Sequence, residues 1–118
     1  MPFVDITWDP ARLTADGLVR LRDNLPSIVA RALTSHDPGH LVTGAMVDIR
    51  VTTSGLYDRL NRDLYVTVLA RTEPERDINK LAIVRQISDA VRSLGAPTGT
   101  MVELVLTNRV SVYDYGDG

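Results

Sequence analysis

The sequence predicts an α+β fold of two tandem β-α-β units, giving a four-stranded sheet with both helices on one face. Three observations carry this expectation. Apolar and β-branched runs at Phe3–Trp8, Met46–Val51, Leu64–Ala70 and Met101–Leu106 read as strands, and the stretches after the first and third repeat apolar residues every three or four positions. The two halves, about 1–55 and 62–118, share one order: strand, arginine-bearing turn, helix, returning strand, with Arg12 ten residues after Pro2 and Arg76 ten after Val66. Parallel crossovers in a sheet are right-handed almost without exception, so each half closes as a parallel unit. A length of 118 residues suits a single domain.

The first strand ends at Asp9-Pro10-Ala11, a turn signal. Thr14 is placed to cap the helix that follows, whose core stripe is Leu18, Leu21, Leu25, Ile28, Val29, Ala32 and Leu33. Pro26 falls inside this stripe, where it must kink the helix or mark a new first turn, because it removes a ladder donor. A turn-rich connection from Ser35 to Gly44 holds both histidines, His36 and His40, and no role is assigned to either. Met46, Asp48 and Arg50 alternate with Val47, Ile49 and Val51 as a half-exposed strand, and a loop runs from Thr53 to Arg62. Leu64–Ala70 is nearly continuous in apolar and β-branched residues, as a central strand is. A second helix is expected from about Ile78 to Leu94, burying Leu81, Val84, Ile87, Val91 and Leu94 and ended by Gly95 and Pro97. After Leu106 the chain closes on a tail, Asn108–Tyr115.

Composition narrows the function classes. A net charge of −2 supplies no bulk basic field for nucleic acid. With no cysteine, disulfides, thiolate metal sites and thiol nucleophiles are excluded, and two histidines argue against a histidine-rich zinc site. No signal peptide or membrane-spanning run is read, so the expected location is cytoplasmic and the expected partners include neither membrane nor nucleic acid.

Pro2 is the first candidate for chemistry. A proline after the initiator methionine can simply open a strand. It also becomes a secondary amine once Met1 is removed. An α-amino group titrates near pH 8, and burial or a neighbouring guanidinium lowers that towards neutrality, which makes a competent general base. If Met1 is retained, Pro2 is an amide and has no basic nitrogen. Arg12, Arg71 and Arg76 all fall in strand-to-helix turns, where α/β folds commonly bind ligands. A guanidinium there can hold a carboxylate through two parallel hydrogen bonds and stabilise a developing enolate. Each could equally pair with Asp9, Asp16, Glu73, Glu75 or Asp77.

Pro2, its apolar strand and Arg12 leading into a helix, within two β-α-β units, together resemble the 4-oxalocrotonate tautomerase superfamily. The resemblance spans the whole chain and implies an amino-terminal proline as acid/base, a homotrimer that covers the second sheet face, no cofactor and no metal. Arg71 and Arg76 resemble the paired arginines that follow the third strand of cis-3-chloroacrylate dehalogenases, although those stand closer together. Val112-Tyr113-Asp114-Tyr115-Gly116 resembles the Glu-Tyr-Gly segment of the same enzymes, which implies Asp114 as a water-activating base beside Tyr113. Asn108 with this aromatic tail resembles the ending of malonate semialdehyde decarboxylase relatives. Asp48 falls where short 4-oxalocrotonate tautomerases carry a further arginine, which argues against a dicarboxylate held in their manner.

Three functions therefore compete. The first is a tautomerase or isomerase acting through Pro2 on a small 2-oxo or enol carboxylate. The second is a cofactor-independent dehalogenase, hydratase or decarboxylase that needs Asp114. The third is a non-catalytic trimeric binding module.

Overall fold

In the structure, a computed structural model that describes residues 2–55 and 58–108, two parallel strand pairs are joined back to back. Strand β1 (Phe3–Trp8) pairs in parallel with β2 (Asp48–Thr53), and β3 (Leu64–Arg71) pairs in parallel with β4 (Thr100–Thr107). The pairs meet through an antiparallel contact of β1 with β3, which sets the order β2-β1-β3-β4. Each half is thus a parallel β-α-β unit, as the crossover argument requires.

Helix α1 (Ala15–His36) begins where expected, with the Thr14 hydroxyl accepting from Gly17 N at 3.1 Å. It runs unbroken through Pro26, so that residue marks no new first turn. The predicted second helix is corrected at its start. It opens earlier as α2 (Pro74–Ile78), with Pro74 in the first turn, where proline's missing N–H costs nothing. It then breaks at Asn79 and resumes as α3 (Lys80–Ser93). The Asn79 amide donates to His36 O at 3.2 Å and to Glu75 O at 2.9 Å, tying the break to the end of α1. The break also resets the helix phase. Ile83, Ile87 and Val91 are buried at four-residue spacing, whereas Leu81 is exposed and Val84 and Leu94 are half-buried. Gly95, at φ 91°, ends α3 in the left-handed region that favours glycine.

The core lies between one sheet face and helices α1 and α3. Val4 and Ile6 of β1 and Leu64, Val66, Val68 and Ala70 of β3 meet Leu21, Leu25, Val29 and Leu33 of α1 and the α3 stripe. No described helix is long and apolar enough to cross a membrane.

Among the described residues nothing covers the other sheet face, and β3 accordingly alternates rather than being buried on both sides. The strand register arranges this face in three rows. Asp48, Phe3, Leu69 and Val105 form one, and Thr52, Thr7, Tyr65 and Met101 another. Between them runs a polar row, Arg50-Asp5-Thr67-Glu103. In it Arg50 Nη2 donates to Asp5 Oδ2 at 3.4 Å and Thr67 Oγ1 donates to Glu103 Oε1 at 3.4 Å. Asp5 Oδ1 is buried without a hydrogen-bond donor among the described residues. The face is therefore one mainly apolar strip, Phe3-Leu69-Val105, and one mixed strip, Thr7-Tyr65-Met101, divided by charge.

Ile87→Ala tests the packing. The side chain is fully buried, so its loss should destabilise the fold by about 2–5 kcal/mol. Urea unfolding followed by Trp8 fluorescence measures it, because the Trp8 indole donates to Leu13 O at 2.9 Å and reports on the folded turn.

Candidate active site

Pro2 is buried at the start of β1, where the lack of an N–H leaves no ladder donor unpaired, and its carbonyl accepts from Asp48 N at 3.2 Å. The antiparallel β1/β3 pairing puts the start of β1 beside the end of β3, with Phe3 opposite Leu69. Helix α1 carries the chain back to this same edge before β2. Three segments converge there: the first residue of β1, the α1–β2 connection, and the turn from β3 into α2. They enclose a depression of about 210 Å³, lined by Pro2, His40, Arg71, Glu73 and Arg76, with Leu41, Val42 and Met46 as its apolar wall.

An alternating chain of charges organises this depression. Arg76 and Asp37 are both buried, at 5% and 1% exposure, and Arg76 Nε lies 3.2 Å from Asp37 Oδ2. The contact is at ion-pair distance without hydrogen-bond alignment. Arg76 Nη1 also donates to Arg71 O at 3.0 Å, fixing the turn after β3. Asp37 caps the end of α1, and its Oδ1 lies 3.1 Å from His40 Nδ1 in a turn closed by His40 N donating to Asp37 O at 3.0 Å. On its other side His40 Nε2 stands 3.5 Å from Glu73 Oε2, and Glu73 Oε1 is 3.5 Å from Arg71 Nε. Arg71 itself is largely exposed, with its side chain 77% accessible.

The structure therefore brings Pro2, Arg71 and Arg76 together. Arg12 lies elsewhere. It follows the far end of β1, a strand about 20 Å long, and there Arg12 Nη1 donates to Asp63 Oδ1 at 3.1 Å. Asn108 is exposed just after Thr107, which pairs with Arg71, so it sits at the Pro2 edge without lining the depression. Tyr113 and Asp114 lie outside the described residues. The sequence alone assigns no role to Asp37 or His40 and offers Glu73 only as a possible partner for the arginines, which it is for Arg71. The usable signal was topological: a helix leaving the end of a strand must return its far end to that strand's start, which places the Asp37-Pro38-Gly39-His40 turn beside Pro2. A second depression, about 260 Å³, lies at the opposite edge between the end of α3 and the start of β4, with Arg92 as its one ionisable lining residue.

No family model and no curated protein matches the chain. Solved structures do. Pt0534 inactivated by 2-oxo-3-pentynoate aligns at a TM-score of 0.62 and 17% identity, over 89% of this chain and 85% of that one. A fused 4-OT described as a wild-type symmetric trimer gives 0.61 and 17% over the same shares, 89% and 85%. The FG41 malonate semialdehyde decarboxylase inhibited by 3-bromopropiolate gives 0.56 and 14%, over 91% and 82%. The chain has the tautomerase-superfamily fold. Identities this low establish a shared architecture, and the chemistry of this tautomerase-fold protein has to be argued from its own residues.

The two arginines at the depression should separate in a stability measurement. Arg76→Met leaves Asp37 buried without its counter-charge and should cost about 3–5 kcal/mol. Arg71→Ala removes an exposed cation and should cost under about 1 kcal/mol. Urea midpoints of the two variants check this directly.

Proposed function

We propose that this chain is a cofactor-independent tautomerase in which Pro2, freed by removal of Met1, is the general acid/base for a small 2-oxo or enol carboxylate. The observation that carries the reading is the placement of Pro2: buried at the start of an inner strand, and opening onto a depression that also holds Arg71 and Arg76. Burial and two nearby guanidinium groups disfavour the ammonium form of a prolyl amine, as a base working near neutral pH requires. Arg71, exposed and loosely held by Glu73, is the group free to take the substrate carboxylate. Arg76 is committed to Asp37 and to the Arg71 carbonyl, and acts by holding the turn. In ketonisation the enol O–H proton passes to water while the neighbouring carbon takes one from the Pro2 ammonium, and solvent returns a proton to the amine.

The same reading includes a homotrimer. The face that the described residues leave open carries an apolar strip and a mixed strip about a polar row in which Asp5 Oδ1 lacks a donor among them, a pattern that a neighbouring copy can both bury and satisfy. A fused 4-OT of the same fold is described as a symmetric trimer, which supports this assembly. Val105→Asp, in an outer strip, should shift sedimentation velocity from three times the 13.0 kDa chain mass towards the single chain.

Water addition or decarboxylation on the same scaffold is the second reading, favoured by β4 ending at the Pro2 edge and by the likeness to a decarboxylase. Asp114→Asn separates the two, because enol–keto exchange should survive it and water addition should not.

The decisive assay is ketonisation of phenylenolpyruvate or 2-hydroxymuconate by the intact protein and by Pro2→Ala. The variant should lose about 10²–10⁴-fold in kcat, the usual worth of a general acid/base. Arg71→Ala should lose about 10–100-fold in kcat/KM, as removal of a charge-assisted hydrogen bond does. Retention of Met1, or equal turnover by Pro2→Ala, removes Pro2 as the acid/base, and absence of turnover in both proteins leaves a non-catalytic binding module as the surviving reading.

A further inference from the structure

Asp37 closes α1 and pairs with buried Arg76, a structural role that does not by itself call for His40 on the same carboxylate. A histidine in a surface turn is ordinarily solvated on both nitrogens. His36 shows the plain structural alternative, with Nε2 3.1 Å from Gln86 Oε1 on a neighbouring helix. His40 instead presents one nitrogen to a carboxylate that is itself 1% exposed and held by a buried arginine. Burying such an ion pair costs several kcal/mol of desolvation for each charge, which a turn does not require. The result is a partly exposed imidazole held on one side: Nδ1–H donates to Asp37, and Nε2 is turned towards Glu73 in the depression lined by Pro2. The Nε2 contact, at 3.5 Å, is longer than an ordinary hydrogen bond, as is that between Arg71 and Glu73, so a ligand can recruit both groups.

We propose that His40 is the second acid/base residue of the Pro2 cavity, exchanging a proton through Nε2 with the 2-oxo or enol oxygen of the substrate, and that Asp37 is its positioning residue. The inference rests on the tautomerase reading and completes it. With the carboxylate on Arg71, the enol O–H proton passes to His40 Nε2 as the C=O bond forms. The electron pair of the C=C bond takes a proton from the Pro2 ammonium at the adjacent carbon. His40 ends with one proton more and Pro2 with one fewer, and exchange with solvent restores both. No charge is left on the enolate oxygen at any stage, which is what a second group contributes. The charged groups around His40 are Asp37 from the end of α1, Arg71 and Glu73 from the turn after β3, and Arg76 from α2.

The test compares wild type, His40→Ala, His40→Gln, Asp37→Asn and Pro2→Ala in phenylenolpyruvate ketonisation across pH. In parallel, the imidazole nitrogens of the wild-type protein are followed by NMR while phenylpyruvate is added. His40→Ala should lower kcat about 100-fold or more with KM changed only a few-fold, and should remove one limb of the pH profile. His40→Gln, which can donate a hydrogen bond but cannot carry a proton, should not restore that limb. Asp37→Asn should lower kcat with KM changed only a few-fold. In the wild type, phenylpyruvate should move the His40 Nε2 resonance. If His40→Ala keeps wild-type kcat and both limbs while Pro2→Ala is inactive, the proposal is overturned and the tautomerase reading stands. If the wild type has no proline-dependent turnover, the tautomerase reading falls and the NMR titration judges the site alone. A shifted Nε2 then supports His40 as a ligand contact, and an unmoved one rejects it.

Discussion

The antiparallel contact between β1 and β3 decides where everything else in this molecule can be. Each β-α-β half would be self-consistent without it, since parallel pairing fixes only the helix and the two strands it links. Once β1 and β3 run in opposite directions, the start of one lies beside the end of the other. The two strand-to-helix turns, similar in sequence, are then sent to opposite edges of the sheet. One edge gains Pro2, the Asp37–His40 turn and the Arg71–Arg76 segment. The other gains Arg12, which finds Asp63 instead. A pseudo-repeated chain thereby acquires two unlike edges: one gathers its charged groups around Pro2, and at the other Arg12 pairs with Asp63.

Within the dense edge, the buried Arg76–Asp37 pair is the strut. Such a pair is poor evidence of stability taken alone, because desolvation offsets much of its attraction. Its value here is geometric. Asp37 closes α1 and orients His40, while Arg76 reaches from α2 to the Arg71 carbonyl, so three segments distant in sequence are fixed to one another around Pro2. The groups left adjustable are those with long contacts, Arg71 and the Nε2 side of His40, both facing Glu73. A rigid base with two adjustable polar arms suits a small ligand that brings its own carboxylate.

Much of this was legible in the residues. The strands at Phe3–Trp8 and Leu64–Arg71, the Thr14 cap and the α1 stripe follow from local periodicity and capping chemistry, and these survive almost unchanged. The start of the second helix was missed because Pro74 was read as part of a loop, although proline is favoured in a first turn. Its buried face was misjudged at Leu81 because the break at Asn79 depends on a hydrogen bond to His36, a contact between distant residues. His40 is silent in the sequence for the same reason: nothing local distinguishes a solvated loop histidine from one seated on a buried carboxylate. The grouping of Arg12 with Arg71 and Arg76 depended on the direction of one strand pairing, which no local pattern encodes.

The central claim is that Pro2 is a reactive amine at the head of this depression, and one labelling experiment addresses it most directly. 2-Oxo-3-pentynoate, the reagent by which the structurally similar Pt0534 was inactivated, is an electrophilic alkyne that an unprotonated amine can attack. The protein would be treated with it, weighed intact and digested for peptide mapping. The account predicts a chain lacking Met1 that carries a single adduct on Pro2, formed more slowly as the pH is lowered and the amine protonates. A chain that keeps Met1, or a processed chain whose Pro2 remains unmodified, would contradict it.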